Sequence, residues 1–181
     1  SYLRIKKIGL IVNRNSLAFN KSDADKKESI LISAGMTDVA IKLALDIANT
    51  LINNKIYLDK RIFLEPRLFN YQSWPKHVEK ATYTPSMYKS LKYAFIRPGL
   101  GTISDCLSNY VCPICFNEGN SMEMICNRRI ITENKIGYGF EPSMLNRTNL
   151  QNLESSISYI LTNIKQLNFN GSSDFYKYSI N

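Results

Sequence analysis

Short apolar runs with no polar face recur along this 181-residue chain, and they restrict its possible folds more than any other feature. Ser29–Ser33 reads Ser-Ile-Leu-Ile-Ser, 61–65 reads Arg-Ile-Phe-Leu-Glu and is closed by Pro66, 93–96 reads Tyr-Ala-Phe-Ile, and Cys112–Phe116 reads Cys-Pro-Ile-Cys-Phe. A strand with one wet face alternates in polarity; one that is apolar on both faces is covered on both, as in parallel sheets. A further strand is expected over 78–83, after a loop carrying Trp74. Helical patterns fill the intervals. Over 38–53 the polar residues Lys42, Asp46, Asn49 and Asn53 fall at spacings of four, three and four, which leaves one wet face. The segment 85–91 opens on Pro, which suits a first helical position. Helices are also expected over 101–109 and 121–131, and Thr148-Asn-Leu-Gln151 is a capping box that opens a last one.

Strands alternating with helices predict an α/β fold: a Rossmann-like, doubly wound parallel sheet of about six strands with helices on both faces. The hydrophobic share of 44% suits one domain with a full core, over residues 29–168. Residues 1–28 read as a linker and mobile segment containing the apolar stretch Ile8 to Val12, and 169–181 read as a C-terminal tail. In such sheets ligands bind beyond the carboxyl ends of the strands. The turns at 33–38, 97–102 and 117–121 all fall on that edge.

The turn after the 93–96 strand reads Arg97-Pro-Gly-Leu-Gly-Thr-Ile-Ser-Asp105. Glycines at a strand-to-helix turn let backbone N–H groups approach a phosphate, and the helix dipole favours negative charge there. The N–H groups of Gly101, Thr102 and Ile103 would point out of the helix start and suit a diphosphate without a metal. The Thr102 hydroxyl could cap the helix or touch phosphate. Asp105 could accept bonds from ribose hydroxyls, or be only a first-turn acid favoured by the dipole. This is not the dinucleotide Gly-x-Gly-x-x-Gly fingerprint, because Ser104 stands in place of the third glycine. After the 112–116 strand, Glu123 and Asn127 lie four residues apart on one helix face, which suits either sugar hydroxyls or water.

Other features bound the chemistry. Cys112-Pro-Ile-Cys115 has metal or redox spacing, but it sits inside an apolar strand where cysteine acts as a small hydrophobe. His77, the single histidine, is far off in sequence and reads as structural or exposed. A reduced setting is expected, with neither metal nor cofactor. The formal charge of +8 suits an anionic ligand, a nucleic acid or an acidic membrane face, and it also fits a chain rich in Asn, Lys, Ile and Tyr throughout. No apolar run approaches the length of a membrane span.

Taken in order, Arg97-Pro-Gly-Leu-Gly-Thr-Ile-Ser-Asp105, Val111-Cys-Pro113, Glu123-Met-Ile-Cys-Asn127 and Ile136-Gly-Tyr-Gly139 resemble the C-terminal half of GT-B glycosyltransferases of the MurG-like and UDP-glycosyltransferase group. The resemblance covers about residues 29 to 165. It implies that Arg97, Gly99, Leu100, Gly101, Thr102 and Ile103 hold the diphosphate of a nucleotide sugar and that Asp105 takes the ribose. It also implies that Ser33, Gly35 and Met36 approach phosphate from the other side, and that Tyr83, within Thr82–Thr84, lies against the base. Asn120, Glu123, Met124 and Asn127 would face the donor sugar, with Asn127 supporting the same loop. Four family traits differ here: the acid is Asp, Met124 stands where Gln is common, Asn109-Tyr110 replaces a small residue and Gly, and the first loop, Ser33-Ala-Gly-Met-Thr37, is poorer in glycine.

The implied activity is transfer of a sugar, from a UDP-sugar in the nearest pattern, to an acceptor bound by an N-terminal domain that also supplies the base. The chain is then expected to be the donor-binding half, cytoplasmic or at the inner face of a membrane, binding no nucleic acid, and turning over little by itself. Two other readings compete: a nucleotide-sugar hydrolase or epimerase of similar fold, and a non-catalytic subunit that docks on a separate acceptor-binding chain.

Overall fold

The computed structural model describes residues 28–35, 37–54, 57–116, 121–141, 147–167 and 169, with side chains left out over 147–151. The linker reading of 1–28 (Glu28 apart), Met36, Asn120 and its loop, the side chains of the capping box, and the tail beyond Phe169 lie outside the described residues.

The elements run β1 (Ser29–Ser33), α1 (Asp38–Ile52), β2 (Ile62–Leu64), α2 (Pro66–Phe69), β3 (Val78–Lys80), α3 (Pro85–Ser90), β4 (Leu91–Ile96), α4 (Leu100–Ser108), β5 (Cys112–Phe116), α5 (Met122–Glu133), β6 (Tyr138–Phe140) and α6 (Arg147–Ile164). The six strands form one sheet in the order β3-β2-β1-β4-β5-β6, and every pairing is parallel. This is the doubly wound arrangement, in which the chain reverses direction across the sheet between β1 and β4. The central strands are apolar because both of their faces are covered: Ile30, Leu31 and Ile32 of β1, Ala94, Phe95 and Ile96 of β4, and Ile114 and Cys115 of β5 have no exposed surface. Leu153, Ile157, Ile160, Leu161 and Ile164 of α6 are buried along one side, as the spacing demands.

Several boundaries differ from the sequence expectation, each for a local reason. Pro66 does more than close β2: as the first residue of α2 it starts a helical turn. The strand expected over 78–83 stops at Lys80, since Tyr83 takes a φ of 52°, a left-handed value incompatible with a strand. Leu91 leaves α3 and joins β4, where it pairs with Ser29 across an irregularity in register. The closing Gly137-Tyr-Gly139 lies at β6, and both glycines are packing residues there. A Cβ at Gly137 would stand 2.9 Å from the backbone oxygen of Pro113, and one at Gly139 would stand 2.8 Å from Arg128 Nε. Cys112 and Cys115 sit side by side with the core in β5, without exposed surface, as the hydrophobic reading of that strand requires.

At the edge where the strands begin, Glu154 of α6 fixes that helix to the sheet. It accepts from Lys60 Nζ at 2.5 Å and from the Tyr93 hydroxyl at 2.7 Å, while Lys92 Nζ approaches its other oxygen at 3.3 Å.

Candidate functional site

At the opposite edge, Arg97 carries the last ladder bond of β4, its N–H donating to the Ser33 carbonyl at 3.3 Å. The chain then turns sharply: the Gly99 N–H donates to the Arg97 carbonyl at 2.7 Å, and α4 begins at Leu100. The first bond within the helix runs from the Ile103 N–H to the Gly99 carbonyl at 3.0 Å. This corrects the expected donor set by one residue. The Ile103 N–H is taken by the helix and its side chain is buried, so the outward N–H groups belong to Leu100, Gly101 and Thr102. No side chain caps the turn, Thr102 included, and those three N–H groups have no partner among the described residues.

The two glycines of this turn are not there for backbone conformation, since Gly99 has a φ of −72° and Gly101 lies within the helix. Nor are they there for packing against the described residues, because among these a Cβ at either one would meet nothing within 4 Å. Their absent side chains leave open space in front of the unpartnered N–H groups.

Facing this turn is the end of β1. Gly35 has a φ of 75°, where other L residues are strained, and its N–H belongs to a bend organised by Glu65. Glu65 ends the β2 segment and is only 5% exposed. Its Oε2 accepts from the Ser33 hydroxyl at 2.9 Å, the Ala34 N–H at 2.8 Å and the Gly35 N–H at 3.1 Å. The sequence offered only a weak signal for it: an acid placed directly after an apolar strand, on the ligand-binding edge.

Between these bends lies a cavity of about 340 Å³. Ser33, Gly35, Glu65, Tyr83, Thr102 and Asp105 line it. Five of these were singled out in the sequence, although they come from three separate stretches of the chain. The Tyr83 hydroxyl lies 3.4 Å from Ser33 Oγ. Partial desolvation of its half-exposed side chain pushes its pKa up; the Ser33 contact works in the other direction and the Glu65 charge adds to the rise. Asp105 keeps solvent contact, yet the desolvation it suffers on this wall raises its carboxyl above the usual range.

The remaining site residues divide. Asn127 of α5 donates from Nδ2 to the Pro98 carbonyl at 2.9 Å, so it braces the glycine turn directly. Glu123 is exposed in the first turn of α5, whereas Met124 is buried beneath that helix. Arg97 passes under the β1 bend, its Cδ 3.4 Å from where a Gly35 Cβ would stand. Thr82 and Thr84 are exposed beside Tyr83, and their hydroxyls lie 3.1 Å apart. Among the described residues no group of three or more His, Cys, Asp or Glu could hold a metal ion, and no helix is long and apolar enough to cross a membrane.

No family model matches the chain, and no curated protein matches it in sequence. Solved structures do. MurG of Acinetobacter baumannii superposes with a TM-score of 0.69 at 13% identity, over 98% of this chain and 56% of that one. The glycosyltransferase SnogD of Streptomyces nogalater gives 0.55 at 14% identity, over 97% of this chain and 49% of that one. The glycosyltransferase VinC, solved in complex with dTDP, gives 0.53 at 12% identity, over 93% and 44%. The chain shares its fold with part of each of these glycosyltransferase structures. The chain spans about half the length of the GT-B structures it matches.

Proposed function

We propose that this GT-B domain is the donor-binding half of a glycosyltransferase, taking a nucleoside-diphosphate sugar, with UDP as its nucleotide. The observation that carries this reading is the helix start at Leu100–Thr102: three unpartnered backbone N–H groups at the mouth of a nine-residue helix, fronted by two glycines whose absent side chains leave room for a ligand. A diphosphate supplies the acceptor oxygens and the negative charge that such a turn favours. Asp105 and the cavity beside it take the nucleoside, and the donor sugar lies toward Glu123 at the start of α5. VinC, whose structure contains dTDP, supports the choice of a nucleoside diphosphate.

In this mechanism an acceptor hydroxyl attacks the anomeric carbon, the bond to the diphosphate breaks, and charge grows on the leaving phosphate. The N–H groups of Leu100, Gly101 and Thr102 are already oriented and stabilise that charge without a metal ion. Loss of one such preorganised donor costs on the order of 3 kcal/mol in other enzymes. The acceptor site and the base that removes the acceptor proton belong to a second domain, on the same chain or on a partner. The work takes place in the cytoplasm, with the acceptor at a membrane face or in solution.

Calorimetry of the 181-residue chain with UDP, GDP and dTDP, with and without magnesium, tests the proposal. Binding of a nucleoside diphosphate with the same affinity in EDTA is the expected result. Binding only in the presence of magnesium, or no binding, refutes it. Hydrolysis of a UDP-sugar by this chain alone would favour the hydrolase reading.

A further inference from the structure

Glu65 is the one buried carboxyl at the ligand edge whose hydrogen bonding is incomplete among the described residues. Oε2 accepts from the Ser33 hydroxyl and the Ala34 and Gly35 N–H groups, while Oε1, equally buried, has no hydrogen-bond partner. A buried acceptor without a donor is costly, and native proteins seldom leave one unexplained. The residue also lines the 340 Å³ cavity that reaches Thr102 and Asp105. The cation on that wall, Arg67, already donates to Asp38 at 3.4 Å. A wall with two acids is wrong for phosphate, an anion that only accepts. It suits the part of a ligand that donates.

We propose that Glu65 is a ligand-binding residue whose Oε1 accepts a hydrogen bond from a hydroxyl or an N–H of the nucleoside, while its Oε2 holds the β1–α1 bend. The inference rests on the nucleotide reading above, and it divides the site chemically. Phosphate goes to the donors at Leu100–Thr102, and the nucleoside goes to the acceptors at Glu65 and Asp105. Binding and loop geometry are thereby linked through one carboxyl: the ligand completes a group that already shapes the bend carrying Gly35.

Glu65→Gln separates the two roles. The bend needs an acceptor at the Oε2 position, so the amide oxygen stays there and the NH2 group takes the place of Oε1, turning the buried, unpartnered acceptor of this cavity-lining residue into a donor. The expected result is UDP affinity reduced at least about tenfold, with inorganic pyrophosphate affinity and melting temperature unchanged. If the penalty vanishes with 2′,3′-dideoxy-UDP, the donor is a ribose hydroxyl; if it persists, the donor is on the base. Either outcome supports the proposal. UDP affinity equal to that of the unmodified chain overturns it, as does an equal loss for UDP and pyrophosphate, which would mean that only the bend had moved. An unmodified chain that binds pyrophosphate but not UDP, GDP or dTDP also overturns it, whereas one that binds none of these refutes the nucleotide reading itself. If Glu65→Gln does not fold, the 13C carboxyl resonance of Glu65 in the unmodified chain decides. It should move on UDP addition and stay in place with pyrophosphate; no movement with UDP overturns the assignment.

Discussion

At the edge where the strands begin, Glu154 takes Lys60 and Tyr93 on one carboxyl oxygen and Lys92 on the other. At the edge where they end, Glu65 gathers three donors on one oxygen and leaves the other buried without any among the described residues. The contrast extends to the backbone. Gly137 and Gly139, beside the body of the sheet, are glycines because Pro113 and Arg128 occupy the space of a Cβ, whereas no described residue occupies it at Gly99 and Gly101. Polar groups and glycines whose environment is complete within the chain do structural work. Those left incomplete on one edge mark where something from outside belongs.

Substitutions at the two edges should have opposite effects on stability and on ligand affinity. Glu154→Ala should cost about 3 kcal/mol of stability, because it leaves two lysines half-buried around a lost carboxyl, and should leave UDP affinity unchanged. Chemical denaturation and calorimetry on the same sample measure both quantities. Gly101→Val should do the reverse. Its side chain enters open space and replaces a glycine in a helix, so the melting temperature should hold or rise while UDP affinity falls more than about thirtyfold. A Gly101→Val chain that binds UDP normally would remove the anion site from α4.

A smaller test uses pH, since the two edges titrate in opposite senses. Burial works against ionisation of Glu154, but the bonds from Lys60 and Tyr93 outweigh it and hold its carboxyl below the usual range. Its contribution to stability is present above the glutamate range of the unfolded chain and is lost as pH falls through the lower folded value. Asp105 is raised by desolvation, so its contribution is complete at acid pH and is lost as pH rises through the folded value. Glu154→Gln should therefore flatten the acid limb of a stability–pH curve, and Asp105→Asn should relieve the loss on the other side. Asp105→Ala should weaken UDP binding about tenfold at neutral pH, and the affinity of the unmodified chain should fall as Asp105 protonates.

The smallest effect lies in the turn that leads into β6, on the edge opposite the cavity. Lys135 is exposed with a φ of 55°, and Lys135→Gly should stabilise the fold by about 1 kcal/mol without touching ligand affinity, as read from the melting temperature. If it alters UDP binding, the division between the two edges is drawn in the wrong place.

The sheet was largely legible in the sequence because burial on both faces writes itself locally: each central strand had to be apolar throughout, and the chain shows this at 29–33, 93–96 and 112–116. The turn at Gly99–Thr102 was legible for the same reason, since a helix start and its glycines are near neighbours in the chain. The boundary of that helix was harder, because one residue decides which N–H is taken, and composition does not resolve one residue. The short α2 was hidden by Pro66, which serves equally to end a strand and to begin a helix.

What the sequence determined by itself was the alternation of buried strands and helices, and hence an α/β sheet with its turns collected on one edge. Tertiary structure alone decided which distant groups meet there. Glu65 stands 30 residues from Gly35 and far from Asp105, yet all three line one cavity, because parallel pairing in register carries the ends of β1, β2 and β4 to the same level. A single side chain carries no local mark of such a meeting, because the partners that complete it, or fail to, come from other strands.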